Sequence, residues 1–207
     1  MKIYVVGGNL DYANWISDKE FVQTPEEADL VLFTGGEDVH PSLYNSETED
    51  FCYTNLDRDL AEKSIFDNLK PEQYCLGICR GSQFLCVMNG GKLVKDCTGH
   101  GIWGTHGITD GELTLEITST HHQMQDPYNL NKKNYNIMFY ASPARSARYI
   151  GAREHANFLH AREPEIVEYH TPNKPKCLAI QGHPEMMKGT KTAEFLNNLL
   201  KKFMNND

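Results

Sequence analysis

Four short apolar runs constrain the fold of this chain more than any other feature. They are KIYVVG at residues 2–7, DLVLF at 29–33, YCLGI at 74–78 and CLAIQ at 177–181. A strand that is buried on both faces gives a continuous apolar run, whereas a strand with one face in water alternates apolar and polar residues. The four runs therefore predict strands of a mainly parallel sheet that is covered by helices on both faces.

The segments between these runs are suited to helices. Apolar residues at helical spacing predict helices over residues 57–69, 81–88 and 190–204. Shorter helical turns are predicted over residues 12–17 and 25–27, the second because a proline follows a threonine that can cap it. The alternation of strands and helices predicts an α/β fold.

The second half of the chain has a different pattern. Residues 111–118, 136–140 and 165–169 alternate apolar and polar side chains. This alternation is typical of strands with one solvated face, which are commonly antiparallel. We therefore expect a small antiparallel insert beside the parallel sheet.

Length and charge limit the possible functions. The chain has 207 residues, 40% of them hydrophobic and 23% charged, which predicts one ordinary domain or at most two small ones. A formal net charge of −8 without a basic patch disfavours nucleic acid as a partner. No run approaches the roughly 20 apolar residues of a membrane-spanning helix, and the first residues indicate a strand rather than a signal peptide. We expect a cytoplasmic protein with free thiols and no membrane partner.

The third apolar run leads directly into a predicted helix, and Cys79 lies on the turn between them. Gly77 and Gly81 lie two residues to either side of it. Small neighbours permit the sharp turn of a nucleophile elbow, and a helix N-terminus favours a thiolate. The backbone N–H of Arg80 would then face the oxygen of a tetrahedral intermediate. The alternative is a cysteine that only caps a tight turn.

A thiol nucleophile needs a general base, and nine histidines compete for this role. His183 follows the last apolar run, and the active sites of α/β sheets collect at the carboxyl ends of the strands. Glu185 lies two residues further along and could orient the imidazole ring, while Pro184 stiffens the turn. The alternative is a surface turn with a solvated carboxylate.

Together these motifs resemble a known family. The segment GICRGSQ at 77–83, combined with HPE at 183–185, resembles the class I, triad-type glutamine amidotransferases. The segments TGGEDVHPSLY at 34–44, NGGKL at 89–93 and STHHQ at 119–123 resemble the branch that contains γ-glutamyl-γ-aminobutyrate hydrolase and γ-glutamyl hydrolase. The resemblance extends over most of the chain.

The resemblance implies a single class I glutamine amidotransferase domain over residues 1–207, with a flavodoxin-like α/β fold. It also implies a Cys-His-Glu triad that hydrolyses the γ-amide of glutamine through a thioester, without a cofactor. The residues that match the triad are Cys79, His183 and Glu185, and those that match the oxyanion hole are the backbone N–H groups of Gly36 and Arg80. The residues that match substrate-binding positions are Gly35, Gln83, His121, His122 and Gln123.

Three departures from the family concern the substrate rather than the chemistry. Gly182 stands where the family often has an aromatic residue, and Cys86 stands where the hydrolase branch tends to have asparagine. The charged segment 144–163 matches nothing in the family. The part of the substrate beyond the glutamyl group is therefore not specified by the resemblance.

Three functions are compatible with these residues. A glutaminase subunit would release ammonia for a separate synthase, and a stand-alone γ-glutamyl hydrolase would act on a γ-glutamyl amide or peptide. A non-catalytic binding module on the same fold is disfavoured because the whole triad is present. The first two share every catalytic residue, and we favour the glutaminase.

A zinc site is a further alternative. Cys97, His100, His106 and the pair 121–122 could supply ligands. Their spacing lacks the second half of a zinc motif, however, and the four glycines of residues 99–107 predict a mobile loop. We therefore expect no metal.

Overall fold

The computed structural model describes residues 1–205. Strands alternate with helices through the first half of the chain. Within these residues the α-helices are α1 Leu56–Asp67, α2 Arg80–Met88, α3 Ala156–Ala161 and α4 Lys191–Asn205. The strands are β1 Lys2–Val5, β2 Glu20–Phe21, β3 Leu30–Phe33, β4 Tyr74–Ile78, β5 Lys92–Val94, β6 Asp96–Cys97, β7 Gly101–Thr109, β8 Thr114–Thr120, β9 Met124–Asp126, β10 Tyr135–Ala141, β11 Tyr149–Ile150, β12 Pro164–Tyr169 and β13 Lys176–Ile180. Short 3₁₀ helices form at Leu10–Ala13, Pro25–Glu27, Pro41–Tyr44, Arg153–His155 and Pro184–Met187. None of the helices in the described part of the chain is long and apolar enough to cross a membrane.

Nine strands of the described residues form one mixed sheet, in the order β2-β1-β3-β4-β13-β12-β10-β7-β8. The five strands from β2 to β13 are parallel to one another. From β12 onward, each strand is antiparallel to its neighbour. The antiparallel strands therefore extend the parallel sheet beyond β13. The smaller sheets β11-β6 and β5-β9 have two strands each.

The parallel strands are buried on both faces, as their continuous apolar sequences predict. Leu30 and Leu32 of β3 belong to one core cluster, whereas Val31 and Phe33 belong to the other. Helix α4 packs on the first face, and α1 and α2 pack on the second. The predicted α/β fold with helices on both faces is confirmed.

The glycine-rich segment 99–107 forms a strand, so the prediction of a mobile loop is wrong. Most of the segment belongs to β7, which has nine residues. This strand pairs with β8 on one side and with β10 on the other. Its backbone hydrogen bonds are therefore made by segments further along the chain, which outweigh the low strand propensity of glycine.

The helix predicted over residues 12–17 also differs in the structure. It is a 3₁₀ helix at Leu10–Ala13. It begins earlier because the side chain of Asn9 accepts a hydrogen bond from the N–H of Asp11 and caps the turn.

Candidate active site

Cys79 lies between β4 and α2 in a backbone conformation that L-residues rarely adopt, with φ 52° and ψ −112°. Glycines on both sides allow the chain to turn this sharply. A Cβ atom on Gly77 would lie 2.4 Å from the carbonyl oxygen of Gly81, and one on Gly81 would lie 2.1 Å from that of Phe33. The turn therefore has the strained strand-to-helix geometry of a nucleophile elbow.

Backbone hydrogen bonds connect this turn to its neighbours. The N–H of Cys79 donates to the carbonyl oxygen of Ile180 at 2.9 Å, which places the turn beside the end of β13. Ser82 donates to the Cys79 carbonyl oxygen from its N–H at 3.0 Å and from its hydroxyl at 2.6 Å. The N–H of Arg80 belongs to the first turn of α2, where N–H groups have no acceptor within the helix and attract anions.

His183 and Glu185 follow β13 and contact each other directly. The Nδ1 atom of His183 lies 2.6 Å from Oε1 of Glu185. Pro184 begins the 3₁₀ helix that brings the carboxylate back to the ring. The N–H of His183 donates to Oγ1 of Thr118 at 2.6 Å, so β8 also holds this loop in place.

The charges around His183 favour its protonated form. Burial alone would lower the pKa of His183, but hydrogen bonds with the Cys79 sulfur atom and the Glu185 carboxylate raise it to about 10. This shift favours the imidazolium form of the ring beside a sulfur atom and a carboxylate. A neighbouring imidazolium favours the thiolate form of a cysteine, which is the nucleophilic form. The three groups together are suited to covalent catalysis.

The close approach of β8 explains why position 182 is a glycine. A Cβ atom on Gly182 would lie 2.4 Å from Cγ1 of Ile117 and 2.9 Å from the carbonyl oxygen of Thr118. Ile117 is fully buried in the core, and the Thr118 oxygen belongs to the backbone. The aromatic residue that is frequent at this position in the family would not fit here.

Gly35 and Gly36 follow β3, and Gly35 lies beside the imidazole of His183. A Cβ atom on Gly35 would lie 3.3 Å from Cε1 of His183 and 2.7 Å from the hydroxyl oxygen of Tyr12. Gly36 has a φ of 140°, and a Cβ atom there would overlap Nη1 of Arg58 at 2.1 Å. Arg58 also donates to the carbonyl oxygen of Gly35 at 3.0 Å. These contacts fix the loop backbone close to the ring.

Three of the predicted substrate-binding side chains lie near one another. Gln83 is buried on α2, and its Nε2 donates to the carbonyl oxygen of Gln123 at 3.1 Å. The side-chain Oε1 of Gln123 is buried and has no hydrogen-bond partner among the described residues. His122 is half-buried, and its Nε2 lies 3.1 Å from Oδ1 of Asp38. This hydrogen bond raises the pKa of His122.

His121, another predicted substrate-binding residue, is turned into the interior. Its Nδ1 lies 2.8 Å from the carbonyl oxygen of Gln123, and its Nε2 lies 3.8 Å from Oε1 of Glu165. Burial lowers the pKa of His121 to about 3, although the Glu165 carboxylate opposes this shift. Its ring centroid is 4.6 Å from that of His100. His121 therefore belongs to a group of buried histidines.

Comparison with known proteins identifies the family. Residues 14–125, more than half of the chain, match Peptidase C26. The chain belongs to the Peptidase C26 family. The match includes the turn at Cys79 and the loop at 35–36, and it ends before His183. This Peptidase C26 protein is a class I glutamine amidotransferase-like domain.

Curated relatives match parts of this Peptidase C26 protein. Protein NtpR of Enterococcus hirae is 24% identical over 172 residues, which cover 78% of this chain and 68% of NtpR. A glutamine amidotransferase-like YvdE homologue of Lactococcus lactis subsp. cremoris is 30% identical over 53% of this chain and 59% of its own length. A glutamine amidotransferase-like protein of Rickettsia prowazekii is 40% identical over 35% of this chain and 27% of its own length. The chain thus spans less than two thirds of the length of the YvdE homologue and of the Rickettsia protein.

Solved structures share the fold. A GMP synthase component from Thermoplasma acidophilum is 18% identical, with a TM-score of 0.58 over 99% of this chain and 92% of the other. A glutamine amidotransferase from Thermotoga maritima is 17% identical, with a TM-score of 0.50 over 99% and 94%. At these identities the likeness concerns the fold, and it confirms the flavodoxin-like architecture.

Tyr12 lies in this site although no sequence motif indicated it. Its ring centroid is 6.2 Å from that of His183. Burial, followed by the charges of Glu185 and Cys79, raises the pKa of Tyr12. The one signal for Tyr12 in the sequence is its place in the segment that follows β1, because the carboxyl ends of parallel strands share one edge of the sheet.

The side chain of Arg80 points away from the reactive turn into a buried ion-pair network. It is 2% exposed and pairs with Asp59 and Glu62 of α1, which are 1% and 5% exposed. Its guanidinium carbon also lies 5.0 Å from the ring centroid of Phe84. Burial raises the pKa of Asp59, and the charge of Arg80 opposes this shift. The network fixes α1 against the N-terminal turn of α2.

Replacing Arg80 with Met should lower the free energy of unfolding by about 3 kcal/mol, because two buried carboxylates lose their common cation. Urea denaturation followed by circular dichroism measures this change. Arg148→Met is the matched control, since Arg148 is 62% exposed and its ion pair with Asp96 contributes at most about 1 kcal/mol. Equal stability of the two variants would contradict the role of the network.

Proposed function

We propose that this protein is a glutaminase of the class I amidotransferase type, with Cys79 as nucleophile, His183 as proton carrier and Glu185 as the group that orients His183. The observation that carries the proposal is the left-handed turn at Cys79 beside a hydrogen-bonded His183–Glu185 pair. Covalent amide hydrolysis requires a nucleophile, a base and an orienting group in contact.

The first half of the proposed reaction forms a thioester. The Cys79 thiolate attacks the carbon of the γ-carboxamide, and the carbonyl electrons move to the oxygen. When the tetrahedral intermediate collapses, the carbon–nitrogen bond breaks and the His183 imidazolium gives its proton to the nitrogen. Ammonia leaves, and the γ-glutamyl group remains on the sulfur.

The second half releases glutamate. His183 is now neutral and takes a proton from a water molecule, whose oxygen attacks the thioester carbon. The carbon–sulfur bond breaks, which returns Cys79 to the thiolate and leaves His183 protonated. Glu185 holds one ring orientation and stabilises the imidazolium in both halves.

We assign the oxyanion hole to the backbone N–H groups of Gly36 and Arg80. The support for Arg80 is its position in the first helical turn after Cys79. The support for Gly36 is the loop that packs within contact distance of His183. Preorganised backbone donors of this kind are worth about 3 kcal/mol each in other hydrolases.

The glutamyl group carries an ammonium and a carboxylate, so its pocket needs polar partners. We assign this role to the backbone of Gly35 and to the side chains of Gln83, His122 and Gln123. His121, the remaining candidate, is not assigned to the pocket because both of its ring nitrogens face interior partners. Gln123 contributes a buried Oε1 atom that lacks a partner among the described residues and that a substrate ammonium group would satisfy.

We further propose that residues 1–207 form one domain, of which 206 and 207 lie outside the described residues, and that it acts in the cytoplasm. All six cysteines are free thiols, which fits a reducing compartment. The described residues are occupied by one large sheet and the helices that cover it. The ammonia would therefore be used by a synthase outside this domain.

The second candidate function is a stand-alone γ-glutamyl hydrolase. The segment 34–44, which resembles that branch, favours it, as does membership of a family described as a peptidase. Both functions use the same triad and differ in the group that leaves. The leaving group is ammonia for the glutaminase and a larger amine for the hydrolase.

Substrate competition separates these two functions. We expect the isolated protein to release glutamate and ammonia from L-glutamine, and γ-glutamyl-γ-aminobutyrate to compete only weakly. L-Asparagine, which is one methylene shorter, is the matched control and should react poorly, because its amide cannot reach Cys79 while its α-groups are bound. A larger kcat/KM for γ-glutamyl-γ-aminobutyrate than for glutamine would favour the hydrolase.

A further inference from the structure

Three histidines and a glutamate converge in the interior, outside the proposed triad. Nε2 of His106 lies 2.8 Å from Oε1 of Glu165, Nδ1 of His100 lies 3.4 Å from it, and Nε2 of His121 lies 3.8 Å from it. The side chains of His100, His106 and Glu165 are fully buried, and that of His121 is 2% exposed. His106 lies on β7, and His100 directly precedes that strand. His121 directly follows β8, and Glu165 lies on β12. We call these four residues the histidine cluster.

In two of the rings, the nitrogen that points away from Glu165 makes a hydrogen bond. This bond determines which of the two ring nitrogens carries hydrogen. Nε2 of His100 lies 3.1 Å from Oε2 of Glu163, and Nδ1 of His121 lies 2.8 Å from the carbonyl oxygen of Gln123. Both partners are acceptors, so these nitrogens carry hydrogen. In the neutral rings, Nδ1 of His100 and Nε2 of His121 are then lone-pair acceptors, and both face a carboxylate oxygen.

Several atoms in the histidine cluster therefore lack a hydrogen-bond partner. Among the described residues these atoms include Nδ1 of His100, Nε2 of His121 and Oε2 of Glu165. Acceptors that face one another in a dry interior are costly, unless a cation lies between them. Three imidazole nitrogens and one carboxylate oxygen form a common ligand set for zinc.

The distances are compatible with such an ion. The candidate ligand atoms of His100, His106 and Glu165 lie within 4.8 Å of one another. Tetrahedral zinc with bonds of about 2.0–2.2 Å places its ligand atoms about 3.4 Å apart. The distances of 2.8, 3.4 and 3.8 Å from Oε1 of Glu165 scatter around this value. His121 lies outside this group of three, so its ring must move toward the centre to supply the fourth ligand.

The surroundings of the histidine cluster also suit a metal. The carboxylate of Glu163 accepts hydrogen bonds from the N–H groups of Arg145 and Ser146 and from the hydroxyl of Tyr149, and it orients His100. Carboxylate–histidine pairs of this kind orient the ligands in many zinc sites. A divalent cation would also balance the charges of Glu163 and Glu165.

We propose that His100, His106, His121 and Glu165 bind one divalent transition-metal ion, zinc, in a closed structural site. Four protein ligands leave no open position, so the ion would stabilise the fold rather than activate water. It would join β7, the end of β8 and β12. The backbone carbonyl oxygen of Glu165 accepts a hydrogen bond from the N–H of Gln181 at 2.8 Å. Gln181 lies two residues before His183, so the metal site would support the strand that leads to the proposed triad.

Metal analysis of protein purified without a polyhistidine tag tests this proposal. Cys79→Ser should be the background, because zinc could otherwise bind to Cys79 and His183. We expect about one zinc ion per chain in this background and almost none after a second change, His106→Gln. His122→Asn is the matched control, since His122 lies with two carboxylates, Asp38 and Asp96, outside the histidine cluster.

Two further measurements keep the proposal falsifiable if His106→Gln does not fold. After chelation, adding Zn²⁺ to the Cys79→Ser protein should raise its unfolding temperature and saturate at one equivalent. Co²⁺ in place of zinc should give the intense visible absorption of a tetrahedral site. Zinc-free protein whose unfolding temperature does not respond to Zn²⁺ would overturn the proposal, as would equal zinc content in His106→Gln and His122→Asn.

Discussion

Replacing Cys79 with Ser should abolish glutamine hydrolysis while the fold stays intact. The loss should reach at least about 10³-fold in kcat, because a serine hydroxyl is far less acidic than a thiol and would not ionise beside His183. Ammonia release from L-glutamine measures the loss, and circular dichroism checks the fold. Cys52→Ser is the matched control, since Cys52 is also partly exposed but lies outside the proposed triad.

Alkylation gives an independent test of the same residue. Iodoacetamide should label Cys79 ahead of the other five cysteines. Burial raises the pKa of Cys86 to about 12 and also raises the pKa values of Cys75 and Cys97, so these thiols stay protonated and shielded. Burial raises the pKa of Cys52 as well, so partial exposure alone should not make it reactive. Equal labelling of Cys52 and Cys79 by mass spectrometry would count against the nucleophile.

The strand-to-helix turn at Cys79 could be predicted because its sequence signals are local. The glycines at 77 and 81 lie within two residues of Cys79, and the apolar run and the helix pattern lie directly on either side. Likewise, the contact between His183 and Glu185 forms within one short turn. Features that depend on neighbours in sequence are the ones that spacing and residue type can indicate.

Features built from distant strands could not be predicted in this way. Segment 99–107 is rich in glycine, and its pairing with β8 makes most of it a strand. A mobile loop would not bring His100 and His106 to Glu165, so the histidine cluster also depends on this strand pairing. The contact of Gly182 with Ile117 is of the same long-range kind. No local pattern signals such contacts, because they depend on the order of strands in the sheet.

Replacing His183 with Ala should remove nearly all glutaminase activity, on the order of a 10³-fold loss or more, as for other triad bases. The proposed mechanism gives this ring both proton transfers, and alanine cannot make either. Alkylation of Cys79 should also slow, because the thiolate would lose its cationic neighbour. His170→Ala is the matched control, since His170 is a surface histidine near Glu168. A variant that keeps most of its activity would exclude His183 as the base.

The change Glu185→Gln should have a smaller effect than His183→Ala, because the carboxylate orients the ring and does not react with the substrate. The glutamine side chain keeps an oxygen that can accept a hydrogen bond from Nδ1, where Oε1 of Glu185 now lies at 2.6 Å. Loss of the negative charge removes one of the two groups that raise the pKa of His183. The pKa of the ring in this variant should therefore fall, and a larger fraction of the molecules should carry a neutral ring at pH 7.

Comparison of kcat in the two variants, with an NMR titration of His183, tests this division of roles. If Glu185→Gln lost as much activity as His183→Ala while the pKa of His183 stayed unchanged, the carboxylate would have a role other than orienting and charging the ring.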